Sequence, residues 1–363
     1  MIIAGSESKF PLRCAAALVG ILVGCGLLSA QTAFQVGPLQ VPPGQVRSGY
    51  LQVPPGKDGS QRIPVSVIHG SAPGPVLALI AGNHGYEYPP VLASQRLLTK
   101  INPAGLKGKV IIVHVANMPS FMKRTIYYSP VDWENLNRVY PGKADGTMSQ
   151  RIAHVITTEV IDRADYLVDM HCGDGNESLR PYSYWMPIGE PRVDEPARQM
   201  VLAFGIPHIV IDPSRPKDAG ASLYCSNTGM TRGKPSITIE SGDMGIADNE
   251  EDIARIESGV MNLMKHLRML DGQARMPAQV TWYEPSEVLR FPENLPEKEG
   301  LFFPQAQKGQ MVEKGALLGY VADFFGKKIF DLRAPFAGEV LYIIGTPPIS
   351  AGEPLAMVGA IKK

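Results

Sequence analysis

The sequence contains few cysteines and tryptophans, and its charges cancel. Among 363 residues there are four Cys and three Trp, and 35 Lys plus Arg balance 35 Asp plus Glu. This balance excludes the strongly basic surface of a typical nucleic-acid-binding domain, so no nucleic-acid partner is expected. With 44% hydrophobic and 19% charged residues, the composition is that of a folded globular protein and argues against extensive disorder. The length allows one large domain and a smaller one.

Only the N-terminus has a long apolar run. Two basic residues precede the apolar stretch 14–28, and small residues follow it. This layout is typical of a secretory signal peptide, so we predict that residues 1–30 are removed and that the protein is exported, to the periplasm or the medium. Lipidation of Cys25 and retention of the leader as an anchor are alternatives, and a membrane is an expected partner only in those two cases. No later run is long and apolar enough to span a bilayer.

Two cysteines remain in the predicted mature chain. In an oxidising compartment, Cys172 and Cys225 are able to form a disulfide bond with each other. Two separate buried thiols are the alternative, and the sequence leaves both open.

Alternating patterns along the chain indicate the fold class. Apolar segments predicted as strands occur at 76–81, 110–115, 166–170, 208–211 and 236–239. Segments predicted as helices occur at 90–101, 148–163, 195–204 and 250–270. This alternation predicts an α/β domain with a mainly parallel mixed sheet flanked by helices. Residues 31–60 are rich in Pro and Gly and are predicted to form turns and short edge strands.

The pattern changes near residue 275. From residue 276 onward, short apolar pieces alternate with Gly and Pro, and no helix-length pattern remains. We therefore predict an α/β domain over residues 31–275 and a small all-β sandwich module over residues 276–363.

Three short polar motifs each follow a predicted strand. In open α/β sheets, ligands bind beyond the carboxyl ends of the strands, so these motifs are expected to meet there. His84, Glu87 and His171 match the three protein ligands of a hydrolytic zinc site, which leaves a fourth position for water. Glu240 is then free to act as a general base on that water. The alternative is that these are unrelated surface residues. One Zn²⁺ per chain is expected, and Co²⁺, Mn²⁺ or Ni²⁺ suit the same ligands.

These motifs carry a resemblance to a known family. The segments, in order, are GNHGYE at 82–87, NLNRVYPG at 135–142, DMH at 169–171 and ITIE at 237–240. Together they resemble the succinylglutamate desuccinylase and aspartoacylase family, a branch of the zinc carboxypeptidase fold. The C-terminal module is similar to the biotinyl/lipoyl-like sandwich that follows the catalytic domain in many members. It lacks a Lys at the usual attachment turn, so lipoylation is not implied.

The resemblance implies an activity and further residue roles. It implies a zinc-dependent amide hydrolase, an N-acyl-amino-acid deacylase that uses metal-activated water. Asn137 and Arg138 match the pair that binds the substrate α-carboxylate, and Arg124 resembles the arginine that polarises the scissile carbonyl, with Lys123 competing for that assignment. Asp169 is expected to orient His171 or the nearby backbone. The expected partner is a small N-acyl amino acid or a short peptide.

Several alternatives stay open at this point. A metallocarboxypeptidase acting on peptides or envelope material fits the same metal ligands, and so does a binding protein that has kept the fold without catalysis. The loop 173–177 and the aromatic residues Tyr182, Tyr184 and Trp185 either line the substrate pocket or pack in the core. The sequence does not determine the oligomeric state.

Overall fold

The structure is a computed structural model that describes residues 1, 2, 4, 5, 7 and 31–362. The predicted signal peptide and Cys25 lie almost wholly outside the described residues, so export and lipidation stay predictions. The chain divides into two compact units, Met1–Gln31 and Thr32–Lys363, and all helices and strands given below belong to the second. Within the described residues, no helix has the length and apolar character needed to cross a membrane.

The second unit contains both helices and strands. The strands are β1 (Phe34–Val36), β2 (Leu39–Val41), β3 (Gln45–Gly56), β4 (Gly59–His69), β5 (Ala72–Ala81), β6 (Lys107–Val113), β7 (Tyr166–His171), β8 (Glu177–Leu179), β9 (Tyr182–Trp185), β10 (His208–Ile211), β11 (Ser236–Glu240), β12 (Thr281–Arg290), β13 (Glu299–Pro304), β14 (Met311–Val312), β15 (Leu317–Ala322), β16 (Lys328–Arg333), β17 (Gly338–Ile344), β18 (Pro348–Ser350) and β19 (Pro354–Ile361). The helices are α1 (Tyr88–Lys100), α2 (Met118–Lys123), α3 (Met148–Ile156), α4 (Pro191–Phe204), α5 (Cys225–Thr231) and α6 (Glu250–His266). A π-helical turn, Thr157–Ile161, continues α3, and Pro103–Gly105 and Leu136–Arg138 form short 3₁₀ turns.

A large mixed sheet forms the centre of this unit. Its strand order is β14-β17-β19-β12-β10-β9-β11-β7-β5-β6-β4-β3, and β8 also pairs with β17. The strands β6, β5, β7 and β11 are parallel neighbours, and so are β9, β10 and β12. The pairing is antiparallel between β9 and β11 and towards both edges. The predicted α/β class is confirmed.

Helices cover both faces of the sheet, which explains the continuous apolar strands. In β5, Leu77 and Leu79 pack in a core with α1, α4 and α6, whereas Ala78 and Ile80 pack in a second core with α3 and α5. A strand presents alternate residues to opposite faces, so a strand buried on both faces is apolar at most of its positions. Each fully buried Leu or Ile contributes roughly 1.5–3 kcal/mol relative to an exposed one.

The region after the predicted leader is more regular than its composition predicts. β1 and β2 are short, as expected, but β3 is a twelve-residue strand that pairs with β4 from Gln45↔His69 onward. The prediction of short edge strands was wrong for β3. Pro54 and Pro55 fall at a register shift near the end of β3, and β3 closes one edge of the sheet. Prolines are tolerated at such places because no ladder hydrogen bond is lost.

The C-terminal part of the chain is built from strands alone. β16, β15, β13 and β18 form a four-stranded antiparallel sheet. Phe302 and Leu318 of this sheet pack against Val340 and Val358 of β17 and β19 in a separate core. β12, β17 and β19 are also strands of the large sheet, so they belong to that sheet and contribute side chains to this separate core as well. The domain boundary near residue 275 stays a prediction.

A polar network joins the C-terminal strands to the rest of the large sheet. Glu339 on β17 is 5% exposed, forms an ion pair with Arg180 and accepts a hydrogen bond of 2.6 Å from the Tyr283 hydroxyl. His208 on β10 lies 2.8 Å from the Tyr283 hydroxyl through Nδ1 and contacts Arg180 through Nε2. Every member therefore has a partner, as a buried polar group requires.

We expect Glu339→Ala to lower the free energy of unfolding by roughly 2–4 kcal/mol, because it leaves Arg180 and the buried Tyr283 hydroxyl without their acceptor. Urea unfolding followed by circular dichroism measures the change. Glu287→Ala, at an exposed position of β12, is the matched control and should change stability by less than about 0.5 kcal/mol. Equal effects in the two variants would contradict a stabilising role of this network.

Candidate active site

The three motifs come together at one edge of the large sheet. β11, β7 and β5 are adjacent and parallel, so their carboxyl ends lie side by side. His84 and Glu87 follow β5, His171 ends β7 and Glu240 ends β11. Glu240 is the direct register partner of His171 on one side and of Tyr182 on the other, which places these three side chains on the same face. The expectation that the motifs meet is confirmed.

His84, Glu87 and His171 form a buried cluster that can hold a metal ion. One ligand atom from each lies within 4.8 Å of the others. Glu87 Oε1 is 2.7 Å from His84 Nδ1 and 3.0 Å from His171 Nδ1. Glu87 Oε2 is buried and has no hydrogen-bond partner. A buried carboxylate oxygen without a partner, on a side chain whose other oxygen contacts two imidazoles, fits a metal ligand, because leaving such an atom unsatisfied is costly. Two imidazoles and one carboxylate are the donor set of hydrolytic zinc sites.

Local backbone requirements explain the glycines of the first motif. Gly82 ends β5 with φ +71°, in the left-handed region that favours glycine. A Cβ at Gly85 would lie 2.4 Å from the carbonyl oxygen of Ser120 and 2.6 Å from that of Thr125. Only glycine therefore lets this turn pack against the segment that follows α2. The turn places Glu87 at the N-terminal end of α1, where the helix dipole stabilises a carboxylate.

Neighbouring polar residues hold the His171 imidazole in place. Asp169 Oδ1 lies 3.1 Å from His171 Nε2 and accepts a 2.7 Å hydrogen bond from Asn83. Asn137 Nδ2 lies 3.2 Å from the same His171 nitrogen, and Asn137 Oδ1 accepts a bond from the Cys225 backbone N–H. The expected contact between Asp169 and His171 is confirmed. Asn137 therefore supports the site from within, and its predicted contact with substrate stays a prediction.

The charges in the cluster stabilise one another. Burial acts to raise the pKa of Glu87, but the imidazoles of His171 and His84 outweigh it and lower that pKa to about 2. Burial likewise opposes the charged form of His171, but Asp169 and Glu87 raise its pKa well above the usual range. Glu87 is therefore ionised at neutral pH, which is the form that binds a cation.

Glu240 has the environment of a general base. Burial raises the pKa of its carboxyl well above the usual range; His171 opposes that shift, and the charge of Glu87 adds to it. Glu240 faces the same cavity as the metal cluster. A carboxylate with a raised pKa is a stronger base than an exposed one, and a catalytic base works best when its pKa is close to the operating pH.

The cluster opens into a cavity of about 580 Å³. The sides of this cavity differ in chemistry. His84 is next to Tyr127 and Asn135, the latter 3.2 Å from His84 Nε2 through its Oδ1. Arg138 also lines the cavity, and its guanidinium lies 4.5 Å above the Tyr224 ring.

Two further arginines face the cavity, and no motif or spacing in the sequence predicted either of them. Arg215 lies 3.7 Å above the Tyr224 ring and is paired with Asp212 at 2.6 Å, whereas Arg290 comes from β12. Burial, together with the charges of Arg215 and Arg290, lowers the pKa of Arg138. Within the described part of the chain, no carboxylate pairs with Arg138. A cationic group without a protein counterion suits an anionic ligand.

The structure does not bring Arg124 to the cluster. Arg124 is exposed, ends α2 in the left-handed conformation with φ +55°, and is not among the residues that line the cavity. Its predicted contact with the scissile carbonyl stays a prediction without support from this arrangement. Tyr127, three residues later, lines the cavity instead.

The open questions about aromatic and cysteine residues are partly resolved. Tyr182 and Tyr184 line the cavity, together with Glu177 of the preceding loop, whereas Trp185 packs in the core. Cys172 and Cys225 are two separate buried thiols.

Comparison with known proteins places this site in a family. Residues 73–267, more than half of the chain, match the model of the succinylglutamate desuccinylase/aspartoacylase catalytic domain. The chain belongs to this family. The match spans His84, Glu87, His171 and Glu240, together with Arg138.

Individual relatives and solved structures match a longer part of the chain than the catalytic domain alone. An N-α-acetyl-L-2,4-diaminobutyric acid deacetylase of Halomonas elongata is 29% identical over 311 residues, which are 84% of this chain and 87% of that protein. The crystal structure of a succinylglutamate desuccinylase from Silicibacter sp. has a TM-score of 0.76 and 25% identity, covering 91% of this chain and all of that one. The product-bound ectoine utilization protein EutE (DoeB) of Ruegeria pomeroyi has a TM-score of 0.74 and 28% identity, covering 88% and 97%.

Proposed function

We propose that this protein is a zinc-dependent hydrolase that cleaves the amide bond of a small N-acyl amino acid. The observation that carries the proposal is the buried His84–Glu87–His171 cluster, with one orphaned carboxylate oxygen and Glu240 beside it on the adjacent strand. In this proposal His84, Glu87 and His171 hold the ion. A bound zinc ion supplies a Lewis acid and lowers the pKa of a water molecule towards about 7.

The side chains have separate tasks in this reaction. Glu240 takes a proton from the attacking water and returns it to the nitrogen of the leaving amine. Arg138 binds the α-carboxylate of the substrate with its planar donor fork. Asp169 and Asn137 hold the His171 ring in place. Because Arg138 lies in the same cavity as the cluster, one substrate can contact both ends.

Two observations favour a deacylase over the alternatives. The relatives of known chemistry include a deacetylase that acts on an acetylated diamino acid, and we infer a related substrate class for this chain. The complete metal cluster and the neighbouring Glu240 argue against a binding protein that has lost catalysis. A carboxypeptidase that releases C-terminal residues from short peptides is the second candidate, because the same cluster and an arginine that binds an α-carboxylate serve both reactions.

The test combines metal analysis with a substrate panel. The purified protein is analysed by elemental mass spectrometry and assayed for release of free amine from N-acetyl and N-succinyl amino acids, N-acetyl-diaminobutyrate and dipeptides, before and after chelation. We expect near-stoichiometric zinc and chelator-sensitive release from an N-acyl amino acid. Cleavage of the dipeptides alone would indicate the carboxypeptidase. Absence of metal after reconstitution, without turnover, would indicate a binding protein.

Arg138→Ala is expected to raise KM by about 10–100-fold with a smaller effect on kcat, because a charge-assisted bond to the substrate carboxylate contributes roughly 1.5–3 kcal/mol. Steady-state kinetics on the best substrate of the panel measure both constants. Arg138→Lys keeps the positive charge but loses the bidentate hydrogen bonding, so its KM should lie between those of the wild type and the Ala variant. An unchanged KM in Arg138→Ala would remove Arg138 from substrate binding.

A further inference from the structure

Hydrolysis at the proposed site needs a donor for the acyl oxygen. When water adds to an acyl carbon, negative charge develops on this oxygen, and a preorganised hydrogen-bond donor stabilises it. Arg124, the expected donor, is exposed outside the cavity lining. Arg138 is already assigned to the α-carboxylate in the proposed function. The donor must therefore come from another residue close to the metal cluster.

Tyr127 has the required position. Its ring meets the His84 ring edge-on, with centroids 5.9 Å apart and planes at 90°. Its hydroxyl donates to Glu177 Oε1 at 2.7 Å, with Asn176 Oδ1 3.1 Å away, and both Tyr127 and Glu177 line the cavity. The Tyr127 ring is therefore beside the cluster, in the wall of the cavity that the cluster opens into.

The protein holds Tyr127 in a conformation that its side chain does not favour. Its φ is +58°, in the left-handed region that favours glycine and is strained for a bulky side chain. The Tyr127 backbone N–H donates to Oδ2 of the buried Asp174 at 3.0 Å, and this bond fixes the turn. A strained backbone that is held by a buried carboxylate and directs a phenol into the cavity indicates a functional position.

We propose that the Tyr127 hydroxyl donates the hydrogen bond that stabilises the charge on the acyl oxygen. The inference rests on the proposed amide hydrolysis. Glu240 removes a proton from water, and the water oxygen bonds to the acyl carbon while the carbonyl electron pair moves to the acyl oxygen. Tyr127 donates to that oxygen without losing its proton. When the pair returns, the carbon–nitrogen bond breaks, its electrons go to nitrogen, and nitrogen takes the proton from Glu240.

The hydrogen bonds around Tyr127 allow this change of partner. A phenol has one hydrogen, which the free site directs to Glu177. A phenol hydroxyl rotates about its C–O bond, so the same hydrogen can turn from Glu177 towards an acyl oxygen in the cavity. Glu177 then still accepts a hydrogen bond from the Asp174 backbone N–H at 3.3 Å.

Tyr127→Phe tests the proposal, with Tyr128→Phe as the matched control at the neighbouring, more exposed tyrosine of the cavity wall. Tyr127→Phe should lower kcat about 100-fold, with KM within about threefold and zinc content unchanged. Its affinity for a phosphonate analogue of the tetrahedral adduct, measured by calorimetry, should fall by a similar factor. Tyr128→Phe should leave kcat and both affinities within about twofold of the wild type.

Other outcomes would overturn the proposal in distinguishable ways. An active wild type with unchanged kcat and analogue affinity in Tyr127→Phe would overturn the role of Tyr127 alone. A wild type that neither hydrolyses the panel nor binds the analogue would overturn the proposed function together with it.

Discussion

Glu240→Gln is expected to retain zinc and to lower kcat at least about 100-fold, the largest kinetic effect of a single conservative change in this site. General-base catalysis contributes typically 10²–10⁴-fold, and a neutral amide cannot accept the proton of the attacking water. Metal content should not change, because the proposed ligands are His84, Glu87 and His171. Pre-steady-state or steady-state assays, together with elemental analysis of the same sample, measure both quantities.

The matched control for this variant is Glu134→Gln. Glu134 lines the same cavity, but its two carboxylate oxygens accept hydrogen bonds from Thr147 at 2.5 Å and from Gln150 at 3.1 Å. The same chemical change there should lower kcat by less than about threefold. A Glu240→Gln variant with turnover close to that of the wild type would remove Glu240 from the mechanism. Loss of zinc in this variant would instead show that Glu240 contributes to metal binding.

His171→Ala is expected to abolish zinc binding and turnover together. It removes one of three ligands and leaves Glu87 with a single imidazole partner, so the zinc Kd should weaken by more than the 10–100-fold typical of changes outside the ligand set. The measurement is thermal unfolding with and without added zinc. Free zinc at 100 times its Kd adds about 2.7 kcal/mol to the unfolding free energy of the wild type, and the variant should show no such gain.

His266→Ala, at a half-buried position of α6, is the control for removal of an imidazole elsewhere. It should bind zinc with the affinity of the wild type, and zinc should stabilise it to the same extent. A His171→Ala protein that keeps near-stoichiometric zinc would show that the metal lies elsewhere. Because both readouts are independent of substrate, this test holds even if the true substrate is absent from the panel.

The central strands and the metal cluster were predictable because their signals are local. A strand buried on both faces is apolar along its length, and a polar motif directly after it marks the edge where ligands bind. His84, Glu87, His171 and Glu240 all follow this pattern, and the register of β11 with β7 places Glu240 beside His171. The long strand β3 was missed because its prolines suggest turns, whereas an edge position and a register shift accommodate them.

The substrate side of the cavity was less predictable, because its residues come from distant parts of the chain. Arg215 lies in an irregular segment after β10, and Arg290 and Tyr342 come from the C-terminal strands. No spacing or periodicity links these positions to the metal motifs. Arg124 and Tyr127 are only three residues apart, but the turn that follows α2 leaves the first exposed and directs the second to His84.

The α/β class, the family and the residues His84, Glu87 and His171 could thus be predicted from short segments, since apolar periodicity and strand-end motifs are local properties. Which side chains share the cavity depends on the fold, because β12, β17 and β19 join the large sheet and bring C-terminal residues to the cavity wall. The fold also places Tyr127 rather than Arg124 beside the cluster. This choice depends on one left-handed turn held by Asp174, a residue 47 positions away along the chain.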